Sequence, residues 1–440
     1  MAKYASATKL YPMMKADQDT RKTTLGNRIK ILTKQMPHIR SVTMGVWVDV
    51  GARDETLSEN GLSHLIEHLI FKGTDKRSAF QIAKEFDVIG GQTNAFTTME
   101  NTCYHAKVMD SHLDTMVEIL SDIFLNSRFD EVDIQREQPV ILQEIGMVED
   151  SPDEYIHILS GKNFWGEHPL GRSILGSRDN LLTFNAERLK TFFQKLYQPD
   201  RIIVSAAGNL EHDRLLDLIG PSFETIKPGN GFPERTPPVV NMGVDVNHRD
   251  LEQVHICLGT RGLPIADPGR YALSLMNTIL GGNMSSRLFQ EIREKRGLAY
   301  TVYSFVSSHV DTGMFGTYAA VEPSKSIETT RLLLEQLFRL KQERVSAAEL
   351  TGAKEYIKGN LFLASESSEN QMVRLAQNEF HFQRNIPLKT VVEQIEAVNP
   401  DDILQLANTL LKNNTLSLTM LGQVADRTAH KELVSAYLDA

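Results

Sequence analysis

His64 and His68 stand four residues apart, with Glu67 immediately before the second. At about 100° per residue on an α-helix, the two imidazoles lie roughly 40° apart and Glu67 falls beside them. Leu62, Leu65, Ile66, Leu69 and Ile70 take the other side. Residues 61–70 therefore read as a helix with one apolar face for packing and one face that offers two imidazoles and a carboxylate to an ion. Imidazoles suit zinc, and a carboxylate left free beside it can take a proton from the bound water, whose pKa the metal lowers to about 7. An amphipathic helix that merely carries two histidines on its wet side has the same spacing. A third ligand from elsewhere in the chain separates the two readings.

The order His-x-x-Glu-His reverses the commoner His-Glu-x-x-His motif and is the inverzincin pattern. Candidates for the third ligand lie in the helix read over 130–148. Glu137 and Glu144 are seven apart, hence about 20° from one another on one face, and both can point toward a single site. Pro139 between them removes a helical hydrogen bond and predicts a kink or an interruption. A solvated helix face would also carry such glutamates.

The elements that must position these residues follow a plan that occurs twice. In the first half, residues 24–34 read as a hairpin turning at 25–28, and 41–50 as a strand with Val42, Met44, Val46, Val48 and Val50 on one face. The metal-motif helix is expected to stop near Lys72-Gly73, and a second helix over 80–88 at Gly90-Gly91. Paired strands over 94–108 and a helix over 114–125 precede the Glu137 helix. A stretch rich in glycine and proline, 227–238, reads as an extended linker. The second half then gives a strand at 253–259, helices at 271–280 and 288–295, strands at 300–307 and 313–320, and helices at 324–341 and 347–363. Each half closes on a strand, 201–207 and 415–421. This order predicts an α+β protein of two related domains, each a mostly antiparallel sheet packed with helices, arising from an internal duplication. The expected boundaries are 22–226 for the domain with the metal motif, 227–241 for the linker and 242–440 for the second domain. Where the first half has 61–70, the second has 269–278 and no metal motif, which leaves it the task of binding and enclosing a substrate.

Length and composition agree. The chain has 440 residues, too many for one ordinary core, and its 41% hydrophobic and 23% charged content is that of a globular protein. A net charge of −9 gives no electrostatic reason to expect nucleic-acid binding. Cys103 and Cys257 form no CxxC pair and read as buried free thiols of a reducing compartment. The first twenty residues hold no secretory-type apolar run, and no stretch has the length of a membrane span. The expected location is the cytoplasm of a bacterial-type cell, or the mitochondrial matrix if the chain is a mature eukaryotic form.

The motif Gly61-Leu62-Ser63-His64-Leu65-Ile66-Glu67-His68 with Phe71-Lys72-Gly73-Thr74, together with Asn94-Ala95-Phe96-Thr97, Glu137 and Glu144, resembles the pitrilysin/insulinase family of zinc peptidases. The resemblance is nearest to the roughly 50 kDa branch that holds the catalytic subunit of mitochondrial processing peptidase and its bacterial relatives, and it runs from about residue 24 to 421. It implies Zn²⁺, one per chain, bound by His64, His68 and Glu144, the last lying 76 residues beyond His68. Glu67 would be the base, and Glu137 a second carboxylate that supports a ligand histidine without binding the metal. Asn94, Ala95 and Phe96 match an edge strand to which an extended peptide adds itself. Residues 285–300 resemble the segment in which an arginine and a tyrosine seven apart hold the substrate, here Arg293 and Tyr300, with Arg296 and Tyr303 as the other pair of that spacing. His105, His157, His168, His255 and His381 are read as structural.

The resemblance implies a zinc endopeptidase that cleaves oligopeptides or unfolded segments in a closed chamber formed by a homodimer. Two other readings are the catalytic subunit of a heterodimeric presequence-processing peptidase and a noncatalytic scaffold subunit of the core-protein type. The noncatalytic partner's glycine-rich loop is reduced here to Gly281-Gly282-Asn283, and scaffold relatives typically have an eroded metal motif, whereas this one is intact.

Overall fold

In the computed structural model the described residues are 19–229, 231–412 and 416–438. The targeting-signal reading of the amino terminus, Asn230 of the linker and the start of the last strand at 415 thus fall outside them. Among the described residues, eleven strands form two sheets. The first contains β1 (Thr20–Thr24), β2 (Lys30–Gln35), β3 (Ser41–Val48), β4 (Gln92–Thr97), β5 (Thr102–Met109) and β6 (Ile202–Gly208). The second contains β7 (Gly243–His248), β8 (Val254–Arg261), β9 (Ala299–Ser308), β10 (Gly313–Val321) and β11 (Ser417–Gly422).

Their orders are β1-β2-β6-β3-β5-β4 and β7-β11-β8-β10-β9. Without β1, the two sequences of neighbours correspond strand for strand. Each sheet has a single parallel pair at the same place, β2 with β6 and β7 with β11, and is otherwise antiparallel. The expected duplication is therefore present in the topology. β7 was not foreseen in the sequence; it is only half-buried along its length and carries Asp245 and Asn247.

Val42, Met44, Val46 and Val48 of β3 enter the core under the helices of the first half, as their alternation predicts. The opposite face of β3 is buried as well. Helix Ser368–Phe382, from the second half, lies across it and packs Met372, Leu375 and Ala376 on Trp47, Cys103, Ile203 and Ala207. Thr43 Oγ1 meets Ser368 Oγ at 2.8 Å, and the Trp47 indole N–H donates to Ser205 Oγ at 2.9 Å. The second sheet receives the reciprocal helix, Pro152–Trp165 of the first half, whose Ile156 packs among Cys257, Tyr318, Ala320 and Leu421. Each half thus covers one face of the other's sheet, and the two cysteines are free thiols buried beneath these exchanged helices.

Polar contacts tie the same halves together. Arg53 is buried and forms ion pairs with Glu100 at 2.6 Å and with Asp311, in the β9–β10 turn, at 2.6 Å. Arg235 of the connecting segment pairs with Asp49 at 2.9 Å and Asp54 at 2.7 Å. Among the described residues of 227–242 there is no helix or strand, but Phe232 lies under the Arg201 guanidinium at 3.3 Å and Val240 is buried. It is a packed strap.

Candidate metal centre

The metal-motif helix spans Leu62–Leu69 and buries Leu62, Leu65, Ile66 and Leu69, the apolar side that the spacing predicts. Gly61 begins it in the left-handed region, with φ 107°, and a Cβ there would stand 3.0 Å from Gly176 Cα and 3.1 Å from Leu175 O. Only glycine meets both conditions. Glu55, from outside the helix, accepts from Gly61 N at 2.8 Å and Ser63 N at 2.7 Å, so a carboxylate satisfies the helix's free amides. Burial pushes that carboxyl up to about 7 against those donors. The helix ends at Leu69, earlier than the Lys72-Gly73 stop expected from sequence.

Helix Glu131–Asp150 runs without interruption past Pro139. Its buried positions are Ile134, Glu137, Ile141 and Ile145, while Gln135 and Pro139 face solvent. The carbonyl of residue 135 that loses its partner is therefore on the wet side, where water can take its place. This is why the proline does not misdirect Glu137 or Glu144.

The two helices bring their polar faces together. His64 Nε2 lies 3.7 Å and His68 Nε2 3.4 Å from the same oxygen, Glu144 Oε2. One ligand atom from each of the three residues fits within 4.8 Å of the others. Glu137 turns away from that point: its Oε2 meets His68 Nδ1 at 3.2 Å and its Oε1 meets Lys72 Nζ at 2.7 Å. With Nδ1 donating to Glu137, His68 presents a lone pair at Nε2. Burial, with a smaller contribution from neighbouring His68, lowers the pKa of His64 to about 4, which keeps it neutral. Two imidazole nitrogens and one carboxylate oxygen therefore converge on one point, and among the described residues the buried His64 Nδ1 has no partner of its own. The donor set of two imidazoles and one carboxylate fits zinc with an open position.

Glu67 is held beside this group. The Thr97 hydroxyl donates to its Oε2 at 2.6 Å, and burial raises its pKa above the usual carboxylate range, with Thr97 and His68 opposing. Thr97 ends β4, which among the described residues has a neighbour on one side only, β5. Asn94, Ala95 and Phe96 lie on that edge strand, and the Phe96 ring stands edge-on to Trp47 at 5.4 Å. Sequence reasoning included Thr97 and Lys72 in its motifs but gave neither a role. Both had a signal: Lys72 is four residues after His68, one turn on, and Thr97 closes the strand that leads to the site.

A cavity of about 610 Å³ opens beside the centre, with His64, Glu67 and Phe96 in its wall and Phe305, His309 and Met314 contributed by the second half. Arg293 and Tyr300 do not line it. They are paired with each other: Arg293 donates to Tyr300 O at 3.0 Å and its guanidinium lies 4.6 Å over the ring. The segment carrying Arg293 is a π-helix, Phe289–Glu294, where an ordinary helix was expected. Tyr300 is 77% exposed and sits five residues before Phe305, the nearer β9 residue of the cavity wall, hence roughly 16 Å along the strand. The other pair is separated: Tyr303 bonds His157 Nε2 at 2.8 Å, while Arg296 pairs with Glu291 at its own end of the π-helix. The remaining histidines have ordinary partners, His168 with Thr236 O, His255 with Tyr318 and His381 with Gln377, and His105 packs near Phe96.

The profile of the insulinase family, peptidase family M16, matches residues 30–178, and that of the peptidase M16 inactive domain matches 183–357. The chain belongs to the insulinase family. An uncharacterized zinc protease of Bacillus subtilis is 39% identical over 390 residues, 88% of this chain and 94% of that protein. One of Streptomyces coelicolor is 37% identical over 421 residues, 93% and 91% of the two chains. A Helicobacter pylori protease of known structure shares the fold with a TM-score of 0.86 at 23% identity, over 92% of this chain and 99% of its own. Family membership, the relatives and the intact donor set make this M16 protein a zinc metallopeptidase. Among the described residues, no helix of the M16 chain is long and apolar enough to cross a membrane.

Proposed function

We propose that this metallopeptidase cleaves oligopeptides or unfolded segments inside a chamber closed by two copies of the chain, with one zinc per chain, in the cytoplasm of a bacterial cell. The observation that carries the reading is the convergence of His64, His68 and Glu144 on one point with Glu67 beside it. A zinc ion held there supplies Lewis acidity and a bound water of lowered pKa. Glu67 takes the proton of the attacking water and hands it to the leaving amine. Thr97 fixes one carboxylate oxygen and leaves the other to face the water. The open edge at Asn94–Phe96 offers main-chain groups to an extended peptide, so affinity depends little on sequence.

Arg293 and Tyr300 support the two-copy chamber. The pair is preformed, with Tyr300 exposed, and lies outside its own chain's cavity, which suits a group delivered to the other copy's centre, where the Tyr300 hydroxyl would donate to the substrate carbonyl oxygen as charge grows on it. Glu137 and Lys72 position His68. The intact ligand set speaks against a noncatalytic scaffold.

The test compares the purified chain with Glu67→Gln for zinc content and for cleavage of a quenched fluorescent peptide. Zinc retained in both with cleavage lost in the variant is the expected result. Zinc bound without cleavage in the wild type, as a dimer, points to a missing partner subunit, and no bound zinc in either overturns the enzyme.

A further inference from the structure

We propose that Glu55 is a positioning residue of the metal centre: its buried carboxylate fixes the first turn of the metal-motif helix, and with it the His64 imidazole, where a zinc ion is held. This rests on the metallopeptidase reading and adds a residue to its machinery. Helix Leu62–Leu69 has eight residues, a length at which an isolated helix does not hold together in water. His64 is its third residue, so fraying of the first turn displaces a ligand directly.

The anchor engages that turn from outside. Glu55 Oε2 accepts from Gly61 N at 2.8 Å and from Asn60 Nδ2 at 3.1 Å, while Oε1 accepts from Ser63 N at 2.7 Å, one residue from His64. Glu55 is 2% exposed and Asn60 is buried with it, so the contacts are sealed from water. Other helices of this chain are capped by the residue at their own start: Ser78 accepts from Gln81 N, Ser346 from Glu349 N and Asn399 from Asp402 N. At the metal-motif helix that residue is Gly61, which has no side chain to offer, and its backbone and the contact with Gly176 forbid one. A carboxylate from six residues earlier takes over. The same anchor is tied to the cavity wall, since Arg172 donates to Glu55 O at 2.9 Å and Asn60 Nδ2 to Ser173 O at 3.0 Å. Helix and wall therefore share one frame.

The second half shows what this fold requires where there is no metal motif. Its corresponding helix, Arg270–Gly281, starts from Gly269, and Asp267, two residues earlier and partly exposed, accepts from Gly269 N at 2.7 Å. Both halves cap this helix with a carboxylate. The half that carries the ligands does so with one sealed from water, at a desolvation cost that the other half avoids.

The experiment compares the wild type with Glu55→Gln and Asp267→Ala. Gln keeps the shape of Glu55 but has one acceptor oxygen, so its amide N–H₂ faces either Ser63 N or Gly61 N. Zinc Kd, from competition with a chromophoric chelator, should weaken roughly 10- to 100-fold in Glu55→Gln and stay within about twofold in Asp267→Ala. In the metal-free proteins, amide exchange over residues 61–66, followed by mass spectrometry, should speed up about tenfold or more in Glu55→Gln and not in Asp267→Ala. A cap with a merely structural role would lower stability to urea in both variants and leave zinc binding alone. Folded Glu55→Gln with a zinc Kd within about twofold of wild type overturns the proposal, as does equal weakening in Asp267→Ala. If Glu55→Gln does not fold, Glu55→Asp carries the test: the charge stays, the reach shortens by one carbon, and zinc Kd must still weaken by more than about twofold. Zinc bound by the wild type with exchange unchanged in Glu55→Gln removes the anchor and keeps the peptidase; no zinc in the wild type with exchange raised in the variant keeps the anchor and removes the peptidase.

Discussion

Replacing Glu137 by Gln isolates the contribution of a carboxylate that touches a ligand histidine and not the metal point. Its two oxygens are both used, one on His68 Nδ1 at 3.2 Å and one on Lys72 Nζ at 2.7 Å. Gln keeps the shape but has a single acceptor oxygen, so in either orientation its amide N–H₂ faces a donor and one contact is lost. If the amide oxygen stays on Lys72, the His68 ring loses the partner that fixes its tautomer. A hydrogen bond to a charged group contributes about 1.5–3 kcal/mol, and loss of such a support for a ligand histidine weakens metal binding roughly 10- to 100-fold, or about 1.4–2.8 kcal/mol. Glu137 is buried but Lys72 is about one-third exposed, so water replaces the lysine's lost partner and the fold stands. Competition with a chromophoric zinc chelator measures the change, and unfolding of the metal-free protein is the control. A zinc Kd within about twofold of wild type, near 0.4 kcal/mol, would refute the positioning role. Complete loss of zinc, as expected for Glu144→Gln, would make Glu137 a ligand and refute it from the other side.

Two further outcomes follow from the contacts between the halves. Asp311→Ala leaves the buried Arg53 guanidinium with Glu100 as its one remaining carboxylate, and should cost about 3 kcal/mol in urea unfolding; a change under about 1 kcal/mol would mean that Glu100 and Thr236 O suffice. Burial, followed by the adjacent Arg53, lowers the pKa of His309 to about 4 from an ordinary 6.5. Its contribution is complete above pH 6.5 and is lost as pH falls from there through 4, to a limit of about 3 kcal/mol, because the unfolded chain binds a proton that the folded one resists. His309→Gln should reduce the slope of the stability profile in that window, to which His64 and His381, also lowered to about 4, continue to contribute, and an unchanged slope would show that His309 is not buried neutral.

The first half of the centre was legible because its residues are local: His64, Glu67 and His68 share one turn and a half of helix, and their apolar complement fixes which way they face. Glu144 and Glu137 were legible as a face of a second helix, and the resemblance chose between them. Pro139 pointed the wrong way, since sequence shows the missing hydrogen bond but not that the freed carbonyl is wet. The exchange of helices was not legible. Thr43, Gly45 and Trp47 alternate with valines and read as an outer face, and what covers them lies some 325 residues away in helix Ser368–Phe382. The cavity was not legible either, since Trp165, Phe305 and Met314 come from three elements of two halves and look, one by one, like core. Arg293 and Tyr300 were legible as a pair, but spacing does not say which site a pair serves.

The exchanged helices also set a timetable for synthesis. The first sheet is complete in sequence at Gly208, yet the helix that covers Trp47, Cys103 and Ile203 begins at Ser368, 160 residues later. At about 5–20 residues per second, the ribosome takes roughly 8–32 s to deliver it. Throughout that interval a nascent first half presents an apolar sheet face with nothing to cover it. Slowing translation between these two points lengthens the period in which that face can aggregate.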